Sequence, residues 1–376
     1  MIFPVWEILA GKGGGTVERF VCETMVVSGN DALNVLREHG CSRMMVVTET
    51  RFRREKWLLR VLQTSGDPIT EYLEITNPDA TMKQAVDGSA RIKSFRPDLV
   101  VALGGRNVLE CSKAMVCFSG HNCRFAAVPT AFGSGEEVTD RVALHHNGKI
   151  HLLYNKEMHP DLTILDSSLM EYADKGEIGE NGFSLLAAAL EAYTGARTGF
   201  LGMLHAREAF ASCCGALPAA FAGKKAALGR MQMASVLTGL AVKETGLGLC
   251  CAMGHSLEAI LGLSWGRAAA ILLPAVVGCN AHAAGKQYAE LSRAAGMGGS
   301  SEGIGTKNLR GGLIRLRREL GLPGTLVQAG IDIRSVWNNG RRIVEMTLED
   351  PECRNNPVAV DDFVVRRILD EITGRI

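Results

Sequence analysis

"DLVVALGGRNVLECSKA", residues 98–114, is the stretch on which the fold turns. Leu99 to Leu103 form an unbroken apolar run of strand length, Gly104 and Gly105 follow, and a helical pattern opens at once. A strand apolar on every residue has both faces covered, which is the condition of a parallel sheet clad by helices. The glycine turn at its carboxyl end aims backbone N–H groups and a helix dipole at one point, a setting suited to a diphosphate.

Working outward, the first half repeats this theme. "DALNVLREHG" (31–40) predicts an amphipathic helix ended by a glycine, and "RMMVVTE" (43–49) a short apolar strand. "TMKQAVDGSARIKSF" (81–95) reads as a helix, and "FAAVPTAFGSG" (125–135) as a strand ending in a Gly/Ser/Thr loop. "HPDLTILDSSLM" (159–170) looks like the last extended segment. Beyond about residue 180 the sequence turns to alanine- and leucine-rich helical stretches, including "NGFSLLAAALEAYTG" (181–195) and "RAAAILLPAVV" (267–277). The expected class is α/β plus all-α: a Rossmann-like parallel-sheet domain over 20–178, then a helical domain over 179–376, with residues 1–19 as an N-terminal extension.

Bulk properties narrow the function. The chain has 376 residues, more than one ordinary core accommodates. Its 41 basic and 40 acidic side chains leave a net charge of +1, so nucleic acid is not an expected partner. Eleven cysteines without a CxxC pair read as buried apolar fillers in a reducing compartment. The N-terminus lacks the pattern of a signal peptide, and "AAAILLPAVVGC" (268–279) is too short to span a bilayer, so a cytoplasmic protein without membrane association is expected. "GKGGG" (11–15) lacks the Ser or Thr of a phosphate loop.

Three loops at strand ends carry candidate cofactor contacts: Gly104, Gly105, Arg106, Asn107 and Lys113 in the first, and Thr130, Gly133, Ser134, Gly135 and Thr139 in the second. In "TETRFRR" (48–54), Glu49 suits a ribose diol and hence NAD, whereas Arg51, Arg53 and Arg54 suit the 2′-phosphate of NADP. The residues leave that choice open.

In order and spacing these segments resemble the iron-containing (group III) alcohol dehydrogenase family, from about residue 20 to the C-terminal end. "ALGGRNVLECSKA" resembles its G-G-G-S-x-x-D-x-A-K loop, with Arg106, Asn107 and Glu110 departing from the pattern. "AVPTAFGSGEEVT" is similar to P-T-T-A-G-T-G-S-E-V-T, and "LTILDSSLM" to V-D-P-x-L. "GLGLCCAMGHSLEAILGLSWGRAAAILLP" (246–274) resembles G-L-G-x-x-H-A-x-x-H-x-L-G followed by P-H-G-x-A-N-A-x-L-L-P. The resemblance implies the architecture that this family shares with dehydroquinate-synthase-like proteins, with NAD or NADP and a divalent metal in the cleft between two domains. It also implies four metal-ligand positions, which here hold Ser184, Ala188, Cys251 and Trp265. Alanine and tryptophan cannot coordinate, so no metal is expected. His255 keeps the second histidine of the Gly-Leu-Gly segment, which family members place near substrate and nicotinamide.

The expected function is therefore an NAD(P)-dependent oxidoreductase interconverting a small alcohol and a carbonyl compound without metal. His255 would be the proton donor and Ser184 a supporting hydrogen-bond donor. Two alternatives stand beside it: a catalytically inactive scaffold, and a zinc enzyme whose site has moved to Cys251 and His255. Dehydroquinate-synthase-like chemistry ranks behind all three, because no replacement Glu/His/His set is visible. A homodimer, and a protein partner docking on residues 1–19 through Phe3 and Trp6, are the protein associations considered.

Overall fold

The computed structural model describes residues 20–52 and 56–374. The described elements run β1 (Met25–Ser28), β2 (Arg43–Glu49), α1 (Lys56–Thr64), β3 (Ile69–Ile75), α2 (Met82–Phe95), β4 (Leu99–Gly104), α3 (Arg106–Ser119), β5 (Arg124–Pro129), β6 (Arg141–His146), β7 (Lys149–Tyr154) and β8 (Leu162–Leu165). Eight further α-helices follow among the described residues: α4 (Lys175–Thr194), α5 (Phe200–Phe221), α6 (Lys225–Thr245), α7 (Leu249–Leu261), α8 (Trp265–Ala294), α9 (Glu302–Glu319), α10 (Ile333–Glu349) and α11 (Asp362–Thr373).

Six strands form one sheet in the order β1-β8-β5-β4-β2-β3, with every neighbouring pair parallel. Alternate residues of the central strands feed separate cores. Met45, Val47, Val100, Ala102, Phe125 and Ala127 pack with Ala85, Ile92 and Val108 of α2 and α3. Met44, Val46, Leu99, Val101, Ala126 and Val128 pack with Trp57, Leu58 and Val61 of α1. The pleat sends successive side chains to opposite faces, so a doubly covered sheet needs this continuous apolarity. The expected architecture is thus observed.

Residues 31–40 depart from expectation. Ala32–His39 form a 3-10 helix: Asp31 enters it at φ 62° and its side chain does not cap it, because the carboxylate pairs with Arg60 instead. Several elements had not been anticipated, namely the first strand β1, helix α1, the edge strand β3 and the antiparallel hairpin β6–β7. The apolar run 268–279 also proves to be part of a helix of 30 residues, α8, long and apolar enough to cross a membrane by length and composition. Of its apolar window, 67% is buried inside the protein, as in a core helix.

The chain divides into two compact units, with the division falling a few residues before the expected boundary at 178/179. The first unit ends at Tyr172, and the second resumes at Ala173. Asp174 accepts from Glu177 N–H at 2.7 Å, and its own N–H donates to the Glu177 carboxylate, so a capping box starts α4 before residue 179. Phe132–Gly135, although they follow β5, belong with the helical unit.

Candidate functional site

In the first unit the β4–α3 turn brings together Glu49, Gly104, Gly105, Arg106 and Asn107. Gly105 N–H donates to Glu49 Oε1 at 2.8 Å, so the acidic side chain at the end of β2 is seated on the start of α3. A Cβ at Gly104 would stand 2.6 Å from the Val108 side chain, which is why the turn takes glycine there. Thr130 N–H donates to Gly104 O at 3.0 Å, and the Thr130 hydroxyl beside this turn is buried without a hydrogen-bond partner. A buried, unsatisfied hydroxyl costs about 1–3 kcal/mol and marks a place where a ligand's polar group would be welcome. The open Thr130 hydroxyl gives the turn a polar contact that fits a dinucleotide, while the Gly105 N–H is taken by Glu49. Arg53, Arg54 and the side chain of Arg51 lie outside the described residues.

Other expected cofactor contacts serve the protein instead. Lys113 is completely buried, and its ammonium donates to Glu136 O, Thr139 Oγ1 and Arg141 O at 2.9, 3.0 and 2.6 Å. These take all three N–H donors, so Lys113 and Thr139 fasten the segment after β5 to α3. Burial pulls the Lys113 ammonium down to about 8, against the opposing pull of Glu110 and Glu136. Arg106 sits 3.4 Å from Glu110 and 3.8 Å from Glu136, and the Asn107 side chain bonds Val108 N–H and Asn77 O.

In the second unit, Gly133–Gly135 lie on α6. Gly133 N–H donates to Ser235 Oγ at 3.0 Å. A Cβ at Gly135, where φ is +85°, would stand 2.2 Å from Gly239 Cα. These glycines let one backbone touch another, a requirement separate from any phosphate. Ser134 Oγ accepts from the Trp265 indole N–H at 3.3 Å. The indole lies against Gly254, where a Cβ would meet it at 2.3 Å, and its ring is 6.5 Å from that of His255.

His255, on α7, is held at both nitrogens. Nδ1 is 2.8 Å from Asp350 Oδ2 at the end of α10, and Nε2 is 3.5 Å from Cys251 Sγ one turn earlier. Burial pulls its pKa down, but the neighbouring Cys251 and Asp350 charges outweigh that effect and hold it well above the ordinary imidazole value. Glu191 of α4 braces the first turn of α7, accepting from Cys250 N–H at 2.6 Å and Cys251 N–H at 3.2 Å. Burial, opposed by these backbone N–H groups, raises the Glu191 carboxyl to about 7.

Ser184, expected as a supporting hydrogen-bond donor, instead donates its hydroxyl proton to Glu180 O in the preceding turn at 3.2 Å. A serine back-bonded to its own helix and the alanine at 188 do not fit a divalent cation, nor does an indole engaged with Ser134. Cys251 and His255 do face one another. Among the described residues, however, no third His, Cys, Asp or Glu offers a ligand atom within 4.8 Å of both. Sequence reasoning missed Asp350, Ser235 and Gly239. Asp350 lies 95 positions from His255, beyond the reach of any local pattern. Ser235 and Gly239 gave only the faint signal of two small residues four apart.

Comparison with known proteins accords with this arrangement. The family model for iron-containing alcohol dehydrogenase matches residues 23–167, and that for the family's C-terminal part matches 180–373. The chain is 28% identical over 375 residues to 1-propanol dehydrogenase PduQ of Citrobacter freundii, covering 95% of this chain and 100% of that protein. It is 25% identical over 377 residues to the NADPH-dependent butanol dehydrogenase of Clostridium saccharobutylicum, covering 94% and 97%. The iron-containing alcohol dehydrogenase of Thermococcus thioreducens superposes with a TM-score of 0.86 at 22% identity, covering 94% and 99%. Sulfoacetaldehyde reductase from Bifidobacterium kashiwanohense, solved with NAD+, superposes with a TM-score of 0.86 at 19% identity, covering 96% and 100%. Since both halves match in the same order and the relatives are spanned almost from end to end, the chain belongs to the iron-containing alcohol dehydrogenase family.

Proposed function

We propose that the chain is an NAD(P)-dependent oxidoreductase that interconverts an alcohol and an aldehyde or ketone, with His255 as the group that moves the proton. The observation that carries the reading is the Asp350–His255 pair within a chain that aligns end to end with alcohol dehydrogenases. In the reducing direction, the His255 imidazolium delivers a proton from Nε2 to the carbonyl oxygen; in the oxidising direction the neutral ring takes it back. Asp350 fixes the ring at Nδ1, so that Nε2, the nitrogen on the side of Cys251, is the one that transfers the proton. When bound, the dinucleotide supplies or accepts the hydride. The β4–α3 turn, Glu49 and Thr130 are the groups that would hold it.

The reaction is proposed to run without a cation at Ser184, Ala188, Cys251 and Trp265. Purified protein stripped with a chelator should therefore keep its alcohol oxidation and aldehyde reduction, followed by nicotinamide absorbance. Activity that disappears on chelation and returns with zinc would sink the metal-free reading. Titration of intrinsic fluorescence with NADH and NADPH reports binding directly; absence of binding to either would favour a scaffold role. Thr130→Val should weaken nucleotide binding roughly five-fold, corresponding to about 1 kcal/mol, and raise the melting temperature of the nucleotide-free protein, because it removes a buried unsatisfied hydroxyl. Unchanged affinity would remove Thr130 from the cofactor site. A homodimer, and a protein partner at residues 1–19, which lie outside the described residues, are further parts of this proposal, to be read by sedimentation of the full chain and of a chain lacking that segment.

A further inference from the structure

The row Asp350–His255–Cys251 has a use that proton transfer to an alcohol leaves unexplained. Carboxylate, imidazole and thiol stand in series, 2.8 and 3.5 Å apart, and all three side chains are largely buried. An imidazolium beside sulfur stabilises the thiolate, the form of cysteine that attacks electrophiles. Cys250 provides the contrast. It is equally buried and next in sequence, but burial pushes its thiol well up, and the neighbours acting on it, Glu191 and Cys251, push the same way. Glu191 also faces Cys251 through the backbone, so His255 is the group that separates the behaviour of the two thiols.

We propose that Cys251, with His255 and Asp350, forms a nucleophilic site that takes small neutral aldehydes covalently as reversible hemithioacetals. The Cys251 sulfur attacks the carbonyl carbon and a C–S bond forms. The π electron pair moves to oxygen, which takes the proton from His255 Nε2. Reversal returns that proton and releases the aldehyde, so no oxidant, reductant or cofactor is consumed. Burial selects the ligand: a charged or bulky electrophile would have to be desolvated to reach sulfur, whereas a short aldehyde is small and neutral. The choice of an aldehyde rests on the oxidoreductase reading, but the capture needs no nucleotide.

The test uses the full chain without nucleotide. Iodoacetamide, a small neutral alkylator, is added near neutral pH, and modification of each cysteine is followed by peptide mass mapping. Cys251 should react about ten-fold faster than Cys250 or more, and Asp350→Asn should narrow that ratio. Propanal should protect Cys251 reversibly, and propanal labelled with carbon-13 at its carbonyl should give a hemithioacetal resonance that Cys251→Ser abolishes. Equal alkylation of Cys250 and Cys251 would overturn the proposal, as would propanal that neither protects Cys251 nor gives that resonance. Zinc bound stoichiometrically at Cys251 would overturn it in favour of a metal site. Because every arm reads covalent chemistry at the Cys251 thiol, and none requires hydride transfer, a failure here is distinguishable from a failure of the oxidoreductase reading.

Discussion

His255→Gln is expected to lower turnover in both directions by about 10²–10⁴-fold, the usual worth of a positioned acid–base group. Glutamine fills similar space and keeps a hydrogen-bonding end, but it carries no transferable proton at neutral pH. The companion substitution Asp350→Asn should act through charge. Losing a carboxylate 2.8 Å from Nδ1 removes one of the influences that raise the His255 pKa. The pH at which aldehyde reduction falls off should then move downward, with substrate KM changed less than kcat. Initial rates across a pH series test this, and an unmoved limb in Asp350→Asn would detach Asp350 from the chemistry. Stability carries the same signature. A histidine whose folded pKa is raised adds stability that is fully present below the unfolded value, about 6.5, and is lost as pH climbs through the folded value. Asp350→Asn should flatten that loss, which denaturant melts at several pH values would detect.

Gly135→Ala should be the most damaging small substitution in the second unit. The φ of +85° costs an alanine about 1–2 kcal/mol, and a Cβ at 2.2 Å from Gly239 Cα adds about 1–3 kcal/mol of overpacking against backbone that cannot rotate away. The sum corresponds to a fall of several degrees in melting temperature for a unit of this size. Gly223 supplies the control. Its φ is +78°, but a Cβ there meets nothing within 4 Å, so Gly223→Ala pays the backbone term alone. Equal losses in the two variants, measured by thermal melting, would show that the contact with α6 carries no cost.

Much of the fold was legible because two physical periods are written plainly. Continuous apolar runs at 43–49, 98–104 and 125–129 match central strands whose alternate residues enter opposite cores. Edge strand β3, "ITEYLEI", was missed because one side of it is unpaired and its polar residues break the run. The β6–β7 hairpin was written in the sequence as Asn147–Gly148, both of which adopt positive φ in the turn. At Ala32–His39 a helix was readable but its 3-10 form was not, since the Asp31 side chain is drawn to Arg60 instead of capping it.

The site was legible in its members and not in its partners. His255 and Cys251 lie one turn apart on α7, a spacing any helix shows, whereas Asp350 reaches them only after α8, α9 and α10 have packed. Lys113 misled for a related reason. A lysine near a glycine turn suggests a phosphate contact, and nothing local reveals that Glu136 O and Arg141 O lie within reach of its ammonium. Trp265 shows the same limit: an indole N–H bonded to Ser134 spans 131 positions.

The affiliation of Phe132–Gly135 with the helical unit bears on how the polypeptide is made. The backbone enters that unit at residue 132, leaves it at 136 and returns at 173. On the ribosome, Ser134 emerges long before Ser235, Gly239 and Trp265, so residues 132–135 wait for their partners until α6 and the start of α8 are synthesised. A gene split at residue 172 would yield a C-terminal fragment whose α6 surface lacks its natural cover. Such a fragment should recover its packing only when a peptide spanning 129–138 is supplied in trans, which makes this short loop a natural handle for fragment complementation.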